Sequence, residues 1–259
     1  MTEEVLLSRF ETEEIGIFES MRTYSGRIFR VEEHLERLAA SAKTAGFACP
    51  DGKRLRRELE LAVKDYLKST AKDIFIRLTL WQDRVFVIVG ERVHPAALYE
   101  KGVALRTSPV PRNLSNAWAP EAKTSAYQNA VAASLEPRAG EIYEWLFLDR
   151  NGFVTEVRIG NIFIVREGRL RTPPALGILN GVTRRFVIEC ARKTGIPVGE
   201  IPLTRHEVFN AGEAFLTNTS WEILPIAELD GRKIGKTIPG PMTRQLQQVF
   251  EKRVKEECS

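Results

Sequence analysis

The stretch from Trp145 to Val165, WLFLDRNGFVTEVRIGNIFIV, constrains the chain most, because it reads as consecutive β-strands with a carboxylate set among them. Trp145 to Leu148 is a short apolar run, and Asn151-Gly152 after it signals a hairpin, since both residues tolerate positive φ. Phe153, Thr155 and Val157 then alternate with Val154 and Glu156 at the strand period of two. Asn161 to Val165 is a further β-rich run, closed by Glu167-Gly168. Glu156 is the anomaly. An ionised carboxylate within a strand either faces water or needs a cationic partner. A solvated glutamate on an edge strand is the commoner arrangement. The sharper alternative is a buried anion held against a buried cation supplied from elsewhere in the chain.

At 259 residues the chain has enough length for one large domain or two smaller ones. An apolar fraction of 43% with both charge signs interspersed describes a folded chain rather than a disordered one. The net charge of +4 permits an anionic ligand, but Lys and Arg alternate with Asp and Glu, so no nucleic-acid partner is expected. Arg54 to Arg57, the densest basic cluster, is followed at once by Glu58 and Glu60, as on a solvated helix face. Cys49, Cys190 and Cys258 are widely spaced with no CxxC, which suggests a reducing compartment, with the cytoplasm as the default. The acidic N-terminus lacks a signal-peptide layout and no apolar run approaches the length of a bilayer span, so no membrane is expected. GxGxxG, Walker A and GxSxG patterns are missing, and His34, His94 and His206 share no ligand spacing, so no metal is expected.

Periodicity predicts a strand at Ile15 to Met21, a turn at Tyr24 to Arg27 and amphipathic helices over Val31 to Ala45 and Asp51 to Lys68. Strands follow at Ile74 to Trp81, at Val85 to Val89 after a Gln82-Asp83 turn, and at Val103 to Thr107. Ser108 to Pro120 holds prolines and asparagines with little periodicity and reads as a connection. Helices are predicted at Ser125 to Leu135, at Val182 to Lys193 and from Pro241 onward. Short strands fall at Val198 to Ile201, Ala214 to Leu216 and Ile223 to Leu229. The pattern predicts an α+β (mixed α/β) fold in two domains: a small one over 1–107, a connection over 108–120 and a large one over 121–259.

Several single residues suit one kind of ligand. Lys123 follows the proline-rich connection, where a shielded amine could attack an aldehyde, although a surface lysine is the commoner case. Asn180-Gly-Val-Thr-Arg leads into a helix, where N–H groups and the Thr183 hydroxyl suit an anion; an ordinary Asn180 cap is the alternative. Thr217-Asn-Thr-Ser offers hydroxyls at a strand end, and Arg37, off the apolar stripe of its helix, adds a fixed charge. A phosphate, an aldehyde and a ring nitrogen needing a carboxylate together describe pyridoxal phosphate.

Seven segments in order carry a resemblance: Phe18-Glu-Ser-Met-Arg, Phe29-Arg-Val-Glu-Glu-His-Leu-Glu-Arg-Leu, Glu121-Ala-Lys-Thr, Asn151-Gly-Phe-Val-Thr-Glu, Gly160-Asn-Ile-Phe, Leu179-Asn-Gly-Val-Thr-Arg and Phe215-Leu-Thr-Asn-Thr-Ser-Trp-Glu-Ile-Leu-Pro. Together they resemble the fold-type IV (class IV) pyridoxal-phosphate enzymes, among them branched-chain and D-amino-acid aminotransferases and 4-amino-4-deoxychorismate lyase. The resemblance implies that Lys123 forms the Schiff base and that Glu156 pairs with the pyridine nitrogen. It implies that Arg37, Val182, Thr183 and Thr219 hold the phosphate, with Asn161 also at the cofactor, and that Phe18, Arg77 and Ser220 meet substrate. It further implies a homodimer. The chain departs from the branched-chain pattern in two places. A Tyr-x-Arg strand reads Phe75-Ile-Arg77, and the Gly-Thr-Ala loop for the substrate carboxylate reads Asn218-Thr-Ser. An N-terminal strand with an Asn-Gly turn, usual in the family, has no counterpart here. The expected function is transfer of an amino group between an α-amino acid with an apolar side chain and a 2-oxo acid, by ping-pong kinetics. The alternatives are the lyase and, in another class, a non-catalytic anion or nucleic-acid binder.

Overall fold

The computed structural model describes residues 16–70, 73–81, 84–112, 119–125 and 142–259. These residues group into two compact units, one drawn from Met1–Val93, Ala122–Tyr127 and Val254–Ser259, the other from His94–Glu121 and Gln128–Arg253.

In the first unit, β1 (Ile17–Tyr24) turns through Ser25 and Gly26, both at positive φ, into β2 (Arg27–Ile28). Two helices follow, α1 (Val31–Ala45) and α2 (Gly52–Tyr66), then the hairpin of β3 (Phe75–Trp81) and β4 (Arg84–Gly90). The predicted turn at Gln82-Asp83 lies outside the described residues. The sheet runs β2-β1-β3-β4, and its neighbours are antiparallel. α1 ends where Gly46 adopts φ 74, a left-handed stop that costs glycine least. α2 starts on Asp51, whose carboxylate accepts the Lys53 and Arg54 amides. The apolar stripe of α1 packs as its spacing predicts, with Val31, Leu38 and Ala42 buried among Ile17, Met21, Leu59 and Ile76. His34 and Ser41 are buried on the same helix, which apolar periodicity alone did not indicate.

The second unit opens with α3 (Ala96–Lys101), β5 (Val103–Thr107), β6 (Glu144–Leu148), β7 (Phe153–Val157), β8 (Asn161–Arg166) and β9 (Arg169–Thr172). It continues through α4 (Val182–Lys193), β10 (Val198–Glu200), β11 (Leu203–Thr204) and α5 (Arg205–Phe209). β12 (Glu213–Asn218), β13 (Glu222–Leu229), β14 (Arg232–Lys233) and α6 (Pro241–Glu257) complete the chain. Apart from Ser125, the helix predicted over Ser125 to Leu135 lies outside the described residues.

The ladder runs β10-β9-β8-β12-β13-β5-β6-β7-β11, with β14 on β13. β7 and β8 stand five steps apart on that path, yet only Arg158 to Gly160 join them and the Val157 amide bonds Gly160 O at 2.9 Å. The six strands between and including them therefore curl until first meets last, enclosing a core of Leu105, Leu146, Val157, Ile162, Ile164, Leu216 and Leu224.

Two local features differ from the sequence reading. The turn after β6 is anchored by Asp149, whose carboxylate accepts both the Asn151 and Phe153 amides at 2.8 Å, and of Asn151 and Gly152 only the glycine has positive φ. β7 does not alternate evenly. Leu146 pairs with Val157 and Leu148 with Val154, two residues against three, so a bulge is inserted. Val154 and Val157 consequently both reach the enclosed core, and Glu156 is carried off it.

Candidate functional site

Lys123 is held in the first unit by its backbone. Its carbonyl accepts the Phe18 amide, and its own amide donates to Ser41 Oγ on α1 at 3.0 Å. Thr124 bridges Ile17, and Ser125 donates to Gly16 O, so the segment lies along the start of β1 like a short added strand. The Lys123 ammonium lies 4.5 Å from the centre of the Phe18 ring, and the Arg77 guanidinium 4.1 Å from it. Phe18, Arg77 and Lys123, which the sequence reading nominated separately, are thus neighbours.

Arg37 is only 12% exposed at its side chain and binds Glu19, Nε to Oε1 at 2.6 Å and Nη2 to Oε2 at 2.7 Å. His34 Nδ1 lies 2.7 Å from the same Oε2. Burial alone would raise the Glu19 pKa, but the Arg37 charge and hydrogen bonds, joined by His34, hold the carboxyl well below its usual range. Glu19 is therefore an anion that only accepts, and His34 Nδ1 carries the proton between them. Burial pushes the His34 pKa below its ordinary value; Glu19 opposes that shift, while Arg37 and Lys123 reinforce it. Sequence reasoning did not single out Glu19 or His34. An acid inside the strand IFESMRTY is the same signal that drew attention to Glu156.

In the second unit, Glu156 is 3% exposed, which sets aside the solvated edge-strand reading. Its cation is Arg112, from the proline-rich segment, with Nε at 2.8 Å and Nη2 at 2.6 Å from Oε1. Oε2 has longer contacts, with Asn161 Nδ2 and the Leu179 amide both at 3.3 Å. Asn161 Nδ2 also donates to Leu179 O at 2.8 Å, so Asn161 ties the carboxylate to the segment that enters α4. The close approach there requires glycine: a Cβ on Gly181 would stand 2.4 Å from Asn161 Oδ1.

α4 begins at Gly181 with no side-chain cap. Asn180 instead accepts from Arg184 Nη1 through Oδ1, so the ordinary Asn180 cap is not formed. Val182 and Thr183, both buried, supply the first turn. By strand register Thr217 faces Asn161 across β12 and β8, so the two side chains share one side of the sheet. Thr217 is 1% exposed, and its Oγ1 has no hydrogen-bond partner among the described residues. Thr219 and Ser220 follow in the β12–β13 turn, Thr219 half-buried and Ser220 buried. In that turn Asn218 Oδ1 accepts the Ser220 and Trp221 amides at 2.8 and 2.6 Å, and Asn218 Nδ2 donates to Ile159 O.

Each unit thus carries a buried carboxylate on an arginine, and the second adds a helix start with no side-chain cap and a Thr217 hydroxyl without a partner among the described residues, a chemistry suited to a phosphate. No group of His, Cys, Asp and Glu among the described residues could hold a metal ion. No described helix is long and apolar enough to cross a membrane.

The amino-transferase class IV family description matches residues 16–229. The branched-chain-amino-acid aminotransferase of Pseudomonas aeruginosa is 33% identical over 258 residues, covering 91% of this chain and 83% of its own. A T.th. branched-chain amino acid aminotransferase, solved with pyridoxamine 5'-phosphate, superimposes with a TM-score of 0.84 at 30% identity, over 97% of this chain and 88% of that one. The branched-chain aminotransferase of Thermoproteus uzoniensis, solved with norvaline, gives 0.83 at 32% identity, over 96% and 88%.

Proposed function

The chain belongs to the amino-transferase class IV family, and from that premise we propose that it moves an amino group between an α-amino acid with an apolar side chain and a 2-oxo acid, using pyridoxal 5'-phosphate. The observation that carries this reading is the buried Glu156 anion beside a helix start that no side chain caps. The Thr217 hydroxyl, without a partner among the described residues and on the same sheet face as Asn161, fits a phosphate that needs one more donor.

When bound, the cofactor supplies an aldehyde that condenses with amines and a pyridinium ring that accepts the electron pair of the substrate Cα–H bond. Lys123 is the amine we assign to that aldehyde, and as a free amine it would carry the proton to and from the substrate Cα. Glu156 would hold the ring N–H, and Asn161 and the Leu179 amide hold its carboxylate in place. Arg112 keeps the carboxylate ionised, and an ionised Glu156 favours the protonated ring. Val182, Thr183, Thr219 and Arg37 would hold the phosphate, while Asn161 ties Glu156 to the α4 entry. Phe18, Arg77 and Ser220 face substrate. Two half-reactions on one lysine make the kinetics ping-pong. The chain acts as a homodimer in the cytoplasm in this reading, which sedimentation and cell fractionation test.

The decisive measurement mixes the loaded enzyme with leucine alone. The pyridoxamine form should accumulate stoichiometrically in the absorption spectrum, and Lys123→Ala should not form it. A spectrum that leucine and other apolar amino acids leave unchanged, with pyruvate released from aminodeoxychorismate instead, overturns the reading in favour of the lyase.

A further inference from the structure

Resting on the assignment of Ser220 to the substrate site, we propose that His94 is a positioning residue for recognition of the substrate carboxylate, acting through the Ser220 hydroxyl. Half-buried His94 lies between β4 and α3, and its Nε2 sits 2.7 Å from Ser220 Oγ, 126 residues further along the chain. Ser220 is 8% exposed, so its hydroxyl is not a solvated surface group.

Much of the surrounding turn is already committed. The Ser220 and Trp221 amides both donate to Asn218 Oδ1. Tyr99 Oη donates to Trp221 O at 3.1 Å, and Asn218 Nδ2 to Ile159 O at 3.0 Å. The turn is therefore braced from within, and two amides that could have served an anion are directed inward. A serine hydroxyl has one proton. Where His94 Nε2 accepts that proton, the hydroxyl is spent. Where Nε2–H donates to Oγ, the hydroxyl proton is directed to the next acceptor. An anion selects the second arrangement, because it places two donors in series toward the negative charge. The ligand class is a small carboxylate: the α-carboxylate of the amino acid and of the 2-oxo acid.

The test uses the pyridoxal-phosphate-loaded dimer or monomer as isolated, with isovalerate as an unreactive carboxylate measured by calorimetry, and isobutylamine against valine in the half-reaction. Ser220→Ala and His94→Leu should each weaken isovalerate about tenfold, the span of one lost hydrogen bond of ~1.4 kcal/mol. Both should reduce the preference for valine over isobutylamine, and the double variant should lose no more than either single one. His94→Gln, whose amide donates from a similar reach, should recover most of the binding and shows that the loss is not misfolding. If Ser220→Ala weakens isovalerate and His94→Leu does not, the role of His94 is overturned while the site stands. If neither does, the assignment of Ser220 to the substrate site itself fails, although the leucine half-reaction still stands on its own.

Discussion

Glu19 and Glu156 are the same device built twice, with different tolerances. Both are glutamates in strands, both are buried, and each is bound by an arginine. Glu19 spreads its charge over Arg37 through both oxygens and over His34, and Arg37 is 12% exposed. Glu156 holds Arg112 closely on Oε1, with Arg112 only 5% exposed, while its Oε2 contacts to Asn161 and Leu179 are both 3.3 Å. The first carboxylate is gripped at both oxygens. The second is held by the more deeply buried arginine of the two, so its loss leaves the carboxylate with less access to water.

The largest effect should come from Arg112→Met. It strands a carboxylate in a site with little water, and removing one partner of a buried pair costs about 3–5 kcal/mol. The urea midpoint should fall accordingly, and Glu156→Gln in the same chain should restore much of it. A loss no larger than that of the Glu19 variant removes the distinction between the two clusters. Glu19→Gln should cost about 2–3 kcal/mol, because an amide still accepts one bond while Arg37 reaches solvent. It should also weaken phosphate binding in a cofactor titration, since Arg37 loses its anchor. Gly181→Ala comes next, at about 1–2 kcal/mol, because the added Cβ must displace Asn161. Its sharper readout is cofactor affinity, which should fall more than stability does.

The smallest effect is on the acid limb. His34 has its pKa lowered in the fold, so the unfolded chain takes up a proton first as pH falls through the ordinary 6.5, and stability drops. Glu19 is also depressed, so its contribution is present above its ordinary 4.5 and is lost as pH falls below that value. Both act in the same direction. His34→Gln should flatten the stability profile just below pH 6.5 and leave the lower part in place. A profile unchanged in that range would show that His34 does not titrate differently on folding.

Much of this was legible before any coordinates. α1, α4 and β5 span the residues that the sequence pattern predicts for them. An acid in a strand was a physical anomaly, and it led to Glu156. Arg112 was not legible, because its segment has no periodicity and its partner lies 44 residues away. His94 was hidden for the same reason, at a separation of 126. Glu19 was within reach of the reasoning applied to Glu156. The bulge in β7 escaped because FVTEV looks like unbroken alternation; only the ladder shows that Val154 and Val157 face the same way.

That extra residue in β7 has an implication for engineering. Where an irregular strand delivers a buried acid, spacing is under tighter control than identity. Transplanting this segment between relatives should tolerate swaps at the exposed Phe153, yet fail on a single deletion, since shortening by one would rotate either Val157 out of the interior or the acid into it.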